Sequence, residues 1–200
     1  MARGRIVWAA AVMAAMVVGV TGCATAGRDP AHEAARPPQE GPLKGYATGA
    51  LSHLETFETP RPLVEVPLFD KDQQPVRLDD LRGDVVVVHI WATWVAPSRF
   101  EVPKLAQVQQ RYAGRGLRVV PVSVDTPDQS GNANAFMQQN PPLEAWFAPD
   151  LSSAMTEWGV WGLPATIFLD REGREVARID SQVDWNTPEV TALLDRLVAD

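Results

Sequence analysis

A chain of 200 residues, 46% of them hydrophobic, can bury one sizeable core with appendages rather than two cores. Its 18 basic and 25 acidic side chains leave a formal charge of −7, which removes any electrostatic reason to seek nucleic acid or anionic lipid.

The chain opens with Arg3 and Arg5, followed by an apolar run over residues 6–20 that is too short to favour a transmembrane span and has the flanks of an export signal. The run ends in Val20-Thr21-Gly22-Cys23, and small residues immediately before a cysteine resemble the lipobox of bacterial lipoproteins. That resemblance implies a signal peptide over residues 1–22 and a Cys23 whose sulfur carries diacylglycerol, with the new amino group acylated. Two or more acyl chains give durable membrane attachment, where one gives only marginal binding. Ala24, rather than Asp, after the cysteine points to the outer membrane in a Gram-negative host. Loss of residues 1–22 removes two positive charges and no negative ones, so the net charge moves from −7 to −9.

Residues 23–60, rich in Ala, Gly, Pro and charge, read as a flexible tether that includes His32 and His53, with a short helix about residues 50–57. A structured domain is expected over residues 61–200. It starts with a hairpin formed by residues 63–69 and 76–78 around a turn at 70–74, then a helical turn at 79–81. Val85-Val86-Val87-Val88-His89-Ile90-Trp91 is apolar nearly throughout, as in a strand buried on both faces. A helix follows from Pro97 to Tyr112, with a kink expected at Pro103 and a buried stripe of Leu105, Val108 and Tyr112. Residues 117–124 form the next buried strand, 132–139 a helix, Trp146-Phe147 a short extended piece, and 151–158 a helix ended by Gly159. Residues 166–170 and 175–180 pair around a turn at 171–174. Thr187 as N-cap and Pro188 start a last helix with Val190, Leu193, Leu194 and Leu197 on its core face.

The junction of the Val85–Trp91 strand and its helix reads Trp94-Val95-Ala96-Pro97-Ser98-Arg99-Phe100-Glu101-Val102-Pro103. This is the frame Trp-Cys-x-x-Cys-Arg-x-Glu-x-Pro with both cysteines missing. Trp91-Ala92-Thr93-Trp94, Gly159-Val160-x-Gly162-Leu163-Pro164-Ala165-Thr166, Phe168-Leu169-Asp170 with Gly173, and Asp184-Trp185 accompany it in order. Together, over roughly residues 60–200, these motifs resemble the TlpA-like branch of the thioredoxin superfamily of thiol-disulfide oxidoreductases. The resemblance implies an α/β thioredoxin fold, a central mixed β-sheet flanked by helices, here with an N-terminal β-hairpin extension.

In active members the first cysteine sits at the helix N-terminus, where the helix dipole lowers its pKa; here that position is Val95. The second cysteine corresponds to Ser98, whose hydroxyl cannot attack a disulfide, and exchange requires a thiolate. Thr93-x-x-Ala96 likewise lacks a peroxidatic cysteine. Glu101 matches an acid that assists proton transfer in the family; without thiols a structural or solvated carboxylate is expected. Pro164 aligns with the cis-proline facing the active site, a position that serves both a turn needed to fold and, through the Leu163 backbone, peptide docking. Trp91 and Trp158 are expected in the core, and Trp94 and Trp161 as exposed contact residues. His89, mid-strand, reads as a hydrogen-bonded core histidine.

No His, Cys or carboxylate pair has metal-ligand spacing and no glycine loop suits phosphate, so neither metal nor cofactor is expected. The leading expectation is a redox-inactive, lipid-anchored module facing the periplasm. It would bind an extended segment of an envelope protein through Trp94, Val95, Pro97, Ser98, Trp161, Leu163 and Pro164. Two alternatives stay open: an enzyme using a partner's thiols or Ser98 with Glu101, and a structural lipoprotein without a client.

Overall fold

The computed structural model describes residues 37–200. The signal peptide, Cys23 and the tether as far as residue 36 lie outside the described residues. Eight strands make one mixed sheet: β1 (Glu55–Pro62), β2 (Leu68–Phe69), β3 (Pro75–Val76), β4 (Val85–Trp91), β5 (Leu117–Ser123), β6 (Trp146–Phe147), β7 (Ala165–Leu169) and β8 (Arg174–Ile179). Their spatial order is β1-β8-β7-β4-β5-β6-β2-β3. Strand β4 runs parallel to β5 and antiparallel to β7, so the most apolar strand lies in the middle, where both faces are covered. The β2-β3 hairpin joins the sheet through β6, at the edge opposite β1.

Four helices, α1 (Ala96–Arg111), α2 (Ser130–Gln138), α3 (Leu151–Trp158) and α4 (Pro188–Ala199), flank this sheet in the thioredoxin-like arrangement. Alternation along β4 divides the core. Val85, Val87 and Trp91 pack with Leu105 and Val108 of α1, Met137 of α2 and Leu193 of α4. Val86, Val88 and Ile90 pack on the other face with Ala154 and Trp158 of α3. Helix α1 runs through Pro103 as one element, and Leu105, Val108 and Tyr112 are all buried. Gly159 takes a left-handed φ of +63° directly after α3, which suits the only residue without a Cβ. Among the described residues no helix is long and apolar enough to cross a membrane.

Two expectations need correction. Residues 37–60 are not tether: Leu43, Leu51, Leu54 and Phe57 are buried, and the expected helix about 50–57 is a short 3-10 turn, Gly49–Leu51, followed by β1 paired with β8. The few apolar residues here, scattered among Ala, Gly and Pro without periodicity, gain their burial against α4, β8 and one another, so no local pattern announces them. Thr56 completes the docking, its hydroxyl donating to the Glu40 carbonyl at 2.7 Å and accepting from the Glu40 N–H at 2.9 Å. Gly41 is required beside it, because a Cβ there would collide with the Phe57 carbonyl. Thr56→Val, which takes the hydroxyl donor from the Glu40 carbonyl and leaves the Glu40 N–H only its 3.2 Å bond to the Thr56 carbonyl, should lower unfolding stability by about 1 kcal/mol. No loss in a denaturant titration would mean that the segment is not held. The second correction concerns α4: Thr187 has extended backbone angles, but its hydroxyl makes no capping bond, and Pro188 alone pre-sets the first turn.

Candidate functional site

The candidate site lies where the chain leaves β4 and enters α1. Asp125, just beyond β5, holds this exit: its carboxylate accepts the Thr93 N–H at 3.0 Å and the Thr93 hydroxyl at 2.7 Å, while Ser123 donates to it at 2.7 Å. Helix α1 then begins on Val95, an extended N-cap residue with no side-chain capping bond, and Pro97 sits in its first turn. Asp125 escaped the sequence reading. Its only signal is the Ser-x-Asp spacing at the end of a buried parallel strand.

The second wall comes from the opposite direction. Pairing of Ile90 with Ala165 brings the segment before β7 beside the segment after β4, and the Leu163-Pro164 bond there is cis. The loop is tied to β8 by Arg178, which donates to the Trp158 carbonyl at 2.8 Å and the Gly159 carbonyl at 3.2 Å. Arg178 is itself paired with buried Glu175.

Trp94 is 58% exposed and Trp161 77% exposed, as expected of contact residues, whereas Trp91 and Trp158 are core. Phe100, 69% exposed on α1, adds a third large apolar side chain that the sequence reading passed over. Its one clue was its position off the Leu105-Val108-Tyr112 stripe. Val95, Pro97 and Leu163 are half-buried, and Val95 and Leu163 pack on the same apolar cluster. Ser98 departs from expectation: it is fully buried, and its hydroxyl has no hydrogen-bond partner. It therefore sits under the surface rather than on it, because the helical turn that exposes Arg99 and Phe100 points Ser98 inward.

Beneath Ser98's helix lies a polar cluster inside the core. Glu101 accepts the Val183 N–H at 3.0 Å and the Trp185 indole N–H at 2.6 Å. It is a structural acid, not a solvated one. Burial pushes its pKa up to about 7, against the opposing pull of those two donors and of Lys104. With both oxygens committed to Val183 and Trp185, Glu101 is not hydrogen-bonded to the Ser98 hydroxyl, so the two do not form a nucleophile and base. His89 is a hydrogen-bonded core residue, its Nδ1 3.1 Å from the Thr166 hydroxyl. Burial lowers its pKa to about 3, so at 3.9 Å from Glu101 it is a neutral neighbour rather than an ion-pair partner. Among the described residues no three His, Cys, Asp or Glu side chains converge as metal ligands. The arrangement offers an aromatic-rimmed surface over a rigid base, with no nucleophile at the helix start.

Known proteins similar to this chain include thiol-disulfide proteins. A model of the AhpC/TSA family matches residues 56–178. The thiol:disulfide interchange protein DsbE of Allochromatium vinosum is 32% identical over 144 residues, 65% of this chain and 76% of that one. The thiol:disulfide interchange protein HelX of Rhodobacter capsulatus is 33% identical over 123 residues, 60% of this chain and 65% of that one. The crystal structure of a secreted thiol-disulfide isomerase from Corynebacterium glutamicum superposes with a TM-score of 0.62 at 22% identity, covering 74% of this chain and 92% of that one, a likeness of fold.

Proposed function

The chain belongs to the AhpC/TSA thioredoxin-like family of thiol-disulfide oxidoreductases, and on that premise we propose that it is a TlpA-like member that binds an extended partner segment without exchanging disulfides. The observation that carries the proposal is the start of α1. Val95 and buried Ser98 stand where the sequence frame calls for two thiols, while Trp94, Phe100 and Trp161 stay exposed and the Leu163-Pro164 bond is cis. A serine hydroxyl cannot replace a thiolate in disulfide exchange, and valine has no nucleophile at all. Exposed aromatic side chains around a rigid backbone edge favour partner docking. Trp94, Val95, Pro97, Trp161 and Leu163 form the proposed contact set, with Ser98 and Pro164, both buried, supporting it from below. Lipid on Cys23 would hold the domain at the periplasmic side of the cell envelope, the outer membrane being favoured by Ala24.

Two measurements test this reading. The wild-type protein should reduce no disulfide substrate, and turnover above background would overturn the loss of exchange. Val95→Cys, with Ser98 kept, supplies one attacking thiol and no resolving partner. It should trap disulfide-bearing envelope clients as mixed disulfides, and the yield should fall at least severalfold when Trp161→Ala is added. A folded, thiol-reactive variant that traps nothing, or traps equally without Trp161, would sink the contact set as a surface for such clients.

A further inference from the structure

Beside Trp94, a groove of about 370 Å³ opens between the Thr93 loop and α2, lined by Thr93, Arg99, Asn132, Ala135, Phe136 and Gln139. Its charge is singular. Of the arginines among the described residues, Arg99 alone has a guanidinium with neither a hydrogen bond nor a carboxylate partner, in a chain where acids outnumber bases 25 to 18. What it has is a platform: Cζ lies 5.3 Å from the centroid of the Phe136 ring, and Phe136 rests on the buried Trp91 ring at 5.7 Å. A guanidinium held over an aromatic face keeps its N–H edge free and loses little freedom on binding. None of the residues lining the groove is acidic, and Asp125, which anchors Thr93 from beneath, is buried with its carboxylate occupied by Thr93 and Ser123.

We propose that this groove receives the side-chain carboxylate of one Asp or Glu in the partner's extended segment, with Arg99 as its counter-charge and Phe136 as the guanidinium's support. The proposal rests on the peptide-binding reading and specifies its partner. Charge complementarity at a single point, on a protein that is otherwise acidic, selects a segment with one acid among neutral or basic residues and rejects a polyacidic tract. The amide side chain of Asn132 adds a neutral donor to the same opening.

A random octapeptide library, displayed with its C-terminus fused so that only side-chain carboxylates are offered, should be selected on the purified full-length protein. Binders should carry Asp or Glu at one position at a fixed distance from an apolar residue. A synthetic binder should lose about tenfold in affinity when that acid becomes its amide, the scale of one charge-assisted hydrogen-bonded pair. Arg99→Gln, a surface change, should bind the acidic and amide peptides equally, and Arg99→Lys should recover part of the preference. Absence of an acidic position, or a preference that survives Arg99→Gln, overturns the proposal. Apolar binders without an acid that still need Trp161 would leave the docking reading standing while this one fails, and a selection with no binders would remove both.

Discussion

Glu101→Gln and His89→Gln are expected to tilt the pH dependence of stability in opposite directions, each by about 2 kcal/mol relative to the wild type between pH 4.5 and 6.5. Glu101 has its pKa raised from 4.5 to about 7 by burial, so the stability it contributes is fully present below pH 4.5 and is lost as the pH rises through 7. His89 has its pKa lowered from 6.5 to about 3 by burial, so its contribution is present above pH 6.5 and is lost as the pH falls through 3. Between pH 4.5 and 6.5 the unfolded pair holds its one proton on His89 and the folded pair holds it on Glu101. Equal proton counts in the two states mean no slope, so the pair hides its own electrostatic cost in the native protein. Removing Glu101 exposes the histidine, and stability should rise with pH. Removing His89 exposes the acid, and stability should fall with pH. Denaturant titrations of the three proteins at several pH values, followed by tryptophan fluorescence, measure both slopes. Parallel profiles would show that the two groups do not titrate as a buried pair.

Arg178→Met is the second large effect, expected to cost about 3–5 kcal/mol. The Glu175 side chain is 5% exposed and that of Arg178 16% exposed, with Arg178 Nη2 donating to Glu175 Oε2 at 2.9 Å. Without the guanidinium, a carboxylate is left unpaired in the interior and the Trp158 and Gly159 carbonyls lose their shared donor. Glu175→Leu combined with Arg178→Met removes the stranded charge, so the double variant should be more stable than Arg178→Met alone. A double-mutant cycle from unfolding curves decides this, and additive losses would contradict it. The pair also has a consequence for docking, because those carbonyls begin the loop that presents Trp161 and Leu163. In the V95C background, the double variant should recover fold more fully than client trapping.

These two clusters mark where the sequence was readable and where it was not. The run 85–91 needed no partner to be read as a strand, because a strand covered on both faces is apolar at nearly every position. Trp94 and Trp161 were legible as surface residues from the motif frame, and His89 as a core residue from its apolar neighbours. Ser98 was misplaced because a one-residue step along a helix turns a side chain by 100°, and only the docking of α1 on β4 decides which face is covered. The partners of Glu101 were invisible for another reason: Val183 and Trp185 lie 82 and 84 residues further along the chain.

By itself, the sequence determined which residues stand at the α1 start and the core that is present: a valine and a serine at positions 95 and 98, the one cysteine at position 23, and a set of apolar runs whose periods allow a thioredoxin-like sheet with flanking helices. These are properties of residue type and short spacing, which local order carries. Only the tertiary structure decided that residues 37–60 belong to the domain, that Ser98 and Glu101 are buried apart in function, and that Arg99 stands over Phe136 with its charge unanswered. Burial and pairing are set by segments that meet after folding, and a chain read in order does not record which of its distant segments will meet.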